Sequence, residues 1–306
     1  MTPFFSIITP TKNSEVFIKD TAQSVLSQSF TNWEWIVVDD MSSDLTTSII
    51  EDIQRTDSRV SLIRVRNINH PAISRNIGVR QAKGFFICFL DHDDLILTDY
   101  LKSLHNILNG TDEIDCIVTN YLLYYSDRNE KSALSLPVGV IENDFLLKKL
   151  LNSNRICLSA FSIKLNFLLR IGLINESFEV WGANDYELYL RALKFNGKFY
   201  FLDKPLVKYR ISNNSMVADR TRNIHNTIVV LDEMLRDQHF IGYHHLISKY
   251  KAKCLFQLGV NNLSLGRKDY FLNILVGIYG YHGFSFQLVK WLLILMVPPF
   301  FSRRLI

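Results

Sequence analysis

Short apolar runs alternate with helix-spaced segments along the first 210 residues of the chain. The runs are six or seven residues long and rich in branched and aromatic side chains, as expected for strands buried on both faces. They predict strands at Phe4–Thr9, Trp33–Val38, Val60–Val65, Phe85–Leu90 and Asp115–Tyr121. The segments between them predict helices at Phe17–Gln28, Leu45–Gln54, 73–84 and Asp99–Leu108. This alternation predicts an α/β fold with a mostly parallel sheet and helices on both faces.

Two features of this pattern need a local interpretation. The helix over 73–84 is predicted to end at its glycine, Gly84, as helices commonly do. Residues 122–140 are polar and irregular, which predicts a mobile loop. Beyond it, residues 156–163 predict a further strand. Phe199–Leu202 and Leu206–Arg210 then predict a closing pair of short strands.

The apolar run Phe85–Leu90 stops abruptly in the acidic sequence Asp91, His92, Asp93, Asp94. Three carboxylates at the end of a buried strand repel one another and are costly to desolvate unless a cation is present. Carboxylate oxygens suit Mg²⁺ or Mn²⁺, and such a metal is commonly shared with substrate phosphates. The cluster therefore indicates a metal and diphosphate site. The alternative is an acidic loop that caps the helix after it.

Polar residues also follow the first two predicted strands. Thr9 leads into Pro10 and Asn13, and the second strand ends in Asp39 and Asp40. Because ligands of open α/β sheets bind at the carboxyl ends of strands, these positions predict a nucleotide crevice. The chain has no Gly-x-Gly-x-x-Gly sequence and no Gly-Lys-Ser/Thr loop. The sequence signals of dinucleotide binding and of P-loop phosphate binding are therefore absent.

The C-terminal part differs from the rest in charge and in apolar content. Residues 1–210 contain 23 Lys and Arg against 25 Asp and Glu, whereas residues 211–306 contain 11 against 5. We expect an α/β domain over 1–215 and a helical, basic extension over 216–306, with helical periodicity at Ile228–Leu235 and Leu246–Leu265. A basic, apolar extension favours a polyanionic surface as partner.

The apolar run from Trp291 within Phe284–Phe301 is too short for the roughly 20 residues that span a bilayer. With Arg303 and Arg304 beside it, the run predicts a helix that lies in a membrane interface. The alternative is an apolar helix that packs on the domain or on a second subunit.

The four cysteines are scattered without paired spacing, and the N-terminus has no signal-peptide pattern. These features predict a cytoplasmic protein that is peripheral on the inner face of the plasma membrane. We expect no nucleic-acid partner, and the sequence leaves oligomerisation open.

Four stretches, taken in order, resemble a known family. They are Ser6–Asn13, Val37–Asp44, Phe89–Asp94 and Trp181–Leu188. Their sequences and spacing are similar to those of the family-2 glycosyltransferases, which are inverting enzymes with the GT-A fold. The resemblance covers about residues 5–210 and implies a Rossmann-like sheet flanked by helices. It also implies a nucleotide-sugar donor, with Mn²⁺ or Mg²⁺ as cofactor.

The resemblance implies a role for several residues. Thr9 and Asp39 would line the nucleoside pocket, and Arg75 would face the nucleotide or diphosphate. Asp91 would approach the ribose, and Asp93 would hold the metal, with Asp91 as a second metal ligand. The full expected binding set is Thr9, Pro10, Asn13, Asp39, Asp40, Arg75, Asp91, Asp93 and Trp181.

The resemblance further implies that Asp185 is the general base. The family commonly has Glu-Asp where this chain has Asn184-Asp185, which puts any role of the preceding Glu in doubt. From the residues alone, an Asp in the first turn of a helix is as well explained as a cap or dipole partner.

We interpret the protein as a hexosyltransferase that moves a sugar, most simply from UDP, to a hydroxyl of a glycan or lipid-linked oligosaccharide in cell-surface polysaccharide biosynthesis. One alternative is a sugar nucleotidyltransferase, which should carry a Gly-rich, basic N-terminal loop that residues 10–14 do not provide. The other alternative is a non-catalytic nucleotide-sugar-binding scaffold, against which Asp91, Asp93 and Asp185 argue.

Overall fold

A computed structural model describes residues 2–66, 68–109, 113–125, 128–132, 134–211 and 220–264, with the single positions 273, 276, 277 and 280. The chain divides into two compact units. The first unit consists of Met1–Leu147, Arg155–Glu176 and Leu188–Asn213, and the second of Lys148–Asn154, Ser177–Glu187 and Asn214–Ile306. The predicted boundary between residues 215 and 216 stays a prediction.

The first unit contains one mixed sheet. Its strands are β1 Phe5–Thr11, β2 Trp33–Asp40, β3 Val60–Val65, β4 Phe86–Phe89, β5 Leu95–Ile96, β6 Cys116–Tyr125, β7 Arg128–Ser132, β8 Gly139–Ile141, β9 Phe161–Lys164 and β10 Phe199–Arg210. The strand order is β3-β2-β1-β4-β9-β6-β10-β5, with β7 paired to β6 and β8 to β10. Neighbours are parallel from β3 to β4, and β9 is antiparallel to both β4 and β6. This architecture confirms the predicted α/β fold class.

The helices include the four that the pattern predicts between the strands, and further helices lie beyond them. They are α1 Ile18–Leu26, α2 Thr46–Thr56, α3 Pro71–Gln81, α4 Tyr100–Leu108, α5 Asn143–Leu150, α6 Leu165–Arg170, α7 Asn184–Lys194, α8 Arg220–Arg236 and α9 His244–Ser264. Among the described residues, none of these helices is both long enough and apolar enough to cross a membrane. The predicted interfacial segment 284–301 lies outside the described residues.

Strands β1, β2 and β4 are almost completely buried, because both of their faces are covered, whereas β3 at the edge of the sheet is only partly buried. Trp35 is one of the largest fully buried side chains of the core, and its indole nitrogen donates to the Thr9 hydroxyl at 2.9 Å. Since β1, β2 and β4 run parallel, they end at the same edge of the sheet. The polar residues that follow the three strands are thereby brought together at this carboxyl edge.

Gly84 does not cap the preceding helix. The helix ends at Gln81, and Ala82 is already extended. A Cβ atom at Gly84 would lie 2.5 Å from the backbone nitrogen of Ser6, whose hydroxyl accepts from the Gly84 amide at 2.8 Å. Glycine is needed here because the chain passes directly against β1 as it enters β4.

The structure also corrects three predictions in the second half of the sheet. Residues 122–140 are not one irregular loop, since β6 continues to Tyr125, β7 forms within them and β8 begins at Gly139. Residues 156–163 form a short 3₁₀ turn before β9 instead of one strand. The predicted closing pair of strands is the single strand β10, which bulges around Pro205 because proline cannot donate to the ladder.

Candidate active site

Two loops at the carboxyl edge hold each other in place. The Asn13 amide donates to the Ser42 hydroxyl at 2.8 Å, and the Asn13 side-chain oxygen accepts from the Ser43 amide at 2.8 Å. Asn13 has a positive φ of 49°, a conformation that asparagine tolerates better than most residues. The β1–α1 and β2–α2 loops are therefore joined by reciprocal hydrogen bonds made by one of the predicted site residues.

The two carboxylates at the end of β2 have different surroundings. Asp39 is 1% exposed and accepts from both the amide and the hydroxyl of Ser42. Asp40 accepts from the amides of Ile68 at 2.7 Å and Asn69 at 2.6 Å. Asp40 thus anchors the β3–α3 loop, and nucleoside contacts from either carboxylate stay predictions.

Lys12 and Thr9 complete this part of the edge. The Lys12 ammonium lies 3.4 Å from the Asp40 carboxylate and also donates to the Asn69 side chain. Thr9 and Pro10 are buried, and the Thr9 hydroxyl is used by Trp35. Thr9 therefore supports the site from within the core, and a contact from Thr9 to a nucleoside stays a prediction.

Asp94, the last residue of the acidic turn 91–94, is a structural carboxylate. It is fully buried and accepts from the Ser159 hydroxyl at 2.6 Å and from the Arg210 amide at 2.9 Å. Burial raises the pKa of the Asp94 carboxyl well above its usual range, and the carboxylates of Asp93 and Asp91 raise it further. The two hydrogen bonds oppose this effect by favouring the charged form.

Asp91, the first residue of the acidic turn, is paired with α3. Its Oδ1 accepts from the guanidinium of Arg75, whose side chain is 8% exposed, and its amide donates to the Ser159 hydroxyl at 3.1 Å. The Arg75 Nε is buried and has no partner among the described residues. An unsatisfied guanidinium N–H in a buried position is costly, so this atom is suited to an anionic ligand.

Asp93 differs from both of its neighbours. No side chain among the described residues forms a hydrogen bond or ion pair with its carboxylate. Burial raises the pKa of Asp93, as does the charge of Asp91, while His92 and Arg210 lower it. Asp93 is thus the carboxylate of the turn that no other side chain of the described residues engages, and a metal contact from it stays a prediction.

The acidic turn is held from two directions that the sequence did not reveal. The Thr21 hydroxyl on α1 donates to the carbonyl oxygens of His92 at 2.7 Å and Asp94 at 3.0 Å. The Arg210 guanidinium donates from Nε to the Asp93 carbonyl at 2.8 Å and lies over the rings of Phe17 and Tyr124. In the sequence, Arg210 is marked as a candidate site residue only by its position at the end of the last predicted strand, Leu206–Arg210.

Two predicted site residues belong to the second unit. Asp185 is the second residue of α7, as predicted, and its Oδ1 accepts from the Tyr186 amide at 2.6 Å. Asn184, which begins the helix, is 6% exposed. Trp181 is half-buried in the 3₁₀ helix Phe178–Ala183 that precedes α7, with the Arg222 guanidinium 4.8 Å from its ring centroid. The other eight predicted site residues belong to the first unit.

Known proteins are similar to this chain in sequence and in fold. The family model described as Glycosyl transferase family 2 matches residues 6–178, which is more than half of the chain. The GalNAc(5)-diNAcBac-PP-undecaprenol beta-1,3-glucosyltransferase of Campylobacter jejuni is 28% identical over 283 residues, covering 83% of this chain and 88% of the relative.

Two solved structures have a similar fold. S. aureus TarS 1-349 in complex with UDP-GlcNAc superposes with a TM-score of 0.70 at 20% identity, covering 90% of this chain and 81% of that one. The mannosyltransferase PcManGT from Pyrobaculum calidifontis, in complex with GDP-Man and Mn2+, has a TM-score of 0.57 at 16% identity, covering 92% and 85%. At these identities the likeness establishes the fold. Together with the family match, it shows that this chain belongs to glycosyl transferase family 2 and is a glycosyltransferase with the GT-A fold.

Proposed function

We propose that the protein transfers a hexose from a UDP-linked donor to a hydroxyl of a glycan or lipid-linked oligosaccharide, in the synthesis of a cell-surface polysaccharide. The observation that carries the proposal is that the three carboxylates of the acidic turn have different partners. Asp91 pairs with Arg75 and Asp94 accepts from Ser159, whereas the Asp93 carboxylate has no side-chain partner among the described residues. The Campylobacter relative, which by its name acts on an undecaprenol diphosphate substrate, supports a lipid-linked acceptor.

The residues present fit a divalent metal that is shared with the donor. Within the described ranges, no group of three or more His, Cys, Asp or Glu side chains is arranged to hold an ion. Mg²⁺ and Mn²⁺ commonly bind to one or two carboxylates and take their remaining ligands from substrate phosphates and water. Asp93 would be the principal protein ligand and Asp91 the second. When bound, the metal would neutralise charge on the diphosphate.

Asp185 would act as the general base. Its position in the first turn of α7 places its negative charge at the positive end of the helix dipole. The carboxylate takes the proton of the acceptor hydroxyl while the oxygen attacks the anomeric carbon and the bond to the diphosphate breaks. A single displacement of this kind inverts the anomeric configuration.

We also propose that the enzyme works at the cytoplasmic face of the membrane, bound peripherally through its C-terminal extension. The support is the sequence, which combines an apolar segment with Arg303 and Arg304. The first 210 residues carry a slight excess of negative charge, so this attraction to an anionic surface would belong to the extension.

The test is a panel of UDP- and GDP-linked sugars, assayed for hydrolysis and for thermal stabilisation of the protein with Mn²⁺, with Mg²⁺ and with EDTA. We expect a UDP-hexose to be hydrolysed and to stabilise the protein when metal is present. Asp93→Asn should remove the metal-dependent part of UDP binding. Equal UDP affinity with metal and with EDTA would contradict the metal proposal, and hydrolysis of GDP-sugars alone would contradict the donor.

A further inference from the structure

The segment that leads to Asp185 is held by the C-terminal extension. Asn226 on α8 is 4% exposed, and its side-chain amide forms two hydrogen bonds to the 3₁₀ helix Phe178–Ala183. Its Oδ1 accepts from the Gly182 amide at 2.9 Å, and its Nδ2 donates to the Glu179 carbonyl at 2.5 Å. One buried side chain thus satisfies a backbone donor and a backbone acceptor just before α7 begins.

Gly182 is matched to this contact. A Cβ atom at Gly182 would lie 2.2 Å from the side-chain oxygen of Asn223 and 3.0 Å from that of Asn226. The φ of Gly182 is not positive, so the backbone conformation does not require glycine, and a Cβ atom here would make the Asn223 side chain move. Gly182 thus leaves room for the Asn223 and Asn226 side chains of α8 to lie directly against the 3₁₀ helix.

The other side of Asp185 is held by the same unit. Tyr186 is 1% exposed, its hydroxyl donates to the Leu150 carbonyl at 3.2 Å, and its ring makes an edge contact with Tyr250 on α9. Along the chain, Asp185 thus follows Glu179 and Gly182, which bond to Asn226 on α8. It precedes Tyr186, which contacts Leu150 and α9. The segments on both sides of Asp185 are thus held by contacts of a buried side chain, Asn226 on one side and Tyr186 on the other.

We propose that Asn226 is a positioning residue for the general base, so that the C-terminal extension is part of the catalytic machinery. The inference rests on the proposed role of Asp185. A neutral amide is suited to this task because it donates and accepts at once and places no charge beside the base. Without it, the Gly182 amide and the Glu179 carbonyl lose their buried partners and the start of α7 can shift. A displacement of about 1 Å can lower the rate about 100-fold.

The test uses the full-length enzyme carrying Asn226→Ala or Asn226→Asp, with the UDP-sugar found active in the donor panel as substrate. Asn226→Asp keeps the size and the acceptor but cannot donate to Glu179. We expect kcat to fall about 10- to 100-fold in both variants. UDP affinity, measured by calorimetry, should stay at the wild-type value. The matched control is Asn261→Asp, since Asn261 on α9 donates to the Thr221 hydroxyl on α8; its kcat should not change.

A double-mutant cycle separates positioning from general stabilisation. If Asn226 acts through Asp185, adding Asn226→Asp to Asp185→Asn should cause no further loss of rate, because the group being positioned is already gone. Independent, multiplying losses would overturn the inference, as would a wild-type kcat in Asn226→Asp. Loss of UDP binding or folding in both single variants would also overturn it, because Asn226 would then be a general structural residue. A fully active Asp185→Asn enzyme would instead refute the proposed base.

Discussion

Asp91, Asp93 and Asp94 are neighbours in the chain, yet the protein uses each carboxylate differently. Arg75 forms an ion pair with Asp91, while the Ser159 hydroxyl and the Arg210 amide donate hydrogen bonds to Asp94. Such partners offset the cost of keeping like charges close together in a buried place. Asp93 has no equivalent partner among the described residues, which is why the proposed chemistry assigns the cation to it.

The proposed base can be tested at the scale of a single residue. Asp185→Asn keeps the side-chain size and an oxygen that can accept a hydrogen bond, but an amide cannot take the acceptor proton. Turnover should fall about 10²–10⁴-fold, which corresponds to about 3–5 kcal/mol of activation free energy. UDP affinity and melting temperature should stay near wild type.

The control for this variant is Glu187→Gln, which removes the same charge from the same helical turn. It should have little effect on turnover. If Asp185→Asn keeps more than about a tenth of wild-type activity, or if it loses UDP binding and stability together, Asp185 is a helix cap and the base is another residue.

At the scale of elements, Asp40 joins three loops of the carboxyl edge. It accepts from the amides of Ile68 and Asn69, and it pairs with Lys12 from the β1–α1 loop. Asp40→Ala would leave two backbone N–H groups without their acceptor, at about 1–3 kcal/mol each. We therefore expect the free energy of unfolding in urea to fall by about 2–6 kcal/mol.

Asp52→Ala provides the matched comparison for Asp40→Ala. Asp52 forms an ion pair with Arg55 on the surface of α2, where both side chains are more than half exposed. Exposed pairs of this kind contribute about 0–1 kcal/mol. An equal destabilisation by the two substitutions would show that the buried hydrogen bonds of Asp40 do not anchor the loops.

Elements bounded by local signals could be predicted from the sequence, and elements that depend on distant partners could not. The strand Val60–Val65 is found where it was predicted, because an isolated apolar run between polar turns leaves few alternatives. Asp203-Lys204-Pro205 resembles a turn, yet β10 continues through it because β6 supplies a partner on both sides of the bulge. The partners of Asp94 come from positions 65 and 116 residues away, so the sequence indicated an acidic site without showing which carboxylate was structural.

At the scale of the whole molecule, charge is divided unevenly along the chain. The first 210 residues have 23 basic against 25 acidic residues, and the remaining residues have 11 against 5. Attraction to an anionic membrane would therefore depend on the C-terminal extension. Because such attraction is screened by salt, it should weaken as ionic strength rises.

Removing Arg303 and Arg304 together in the full-length protein tests the membrane proposal. Each basic residue near an anionic leaflet contributes about 1 kcal/mol, so the double alanine variant should bind vesicles containing phosphatidylserine about 30-fold more weakly. The measurement is vesicle sedimentation at two salt concentrations, with hydrolysis of the UDP-sugar assayed in parallel and expected to stay unchanged. Arg55→Ala with Arg64→Ala removes the same net charge from exposed positions of the first unit, and this variant should bind like wild type. Equal weakening of vesicle binding by both double substitutions would assign the attraction to overall charge. Binding that is independent of lipid charge and of salt would show that Arg303 and Arg304 do not provide the attraction.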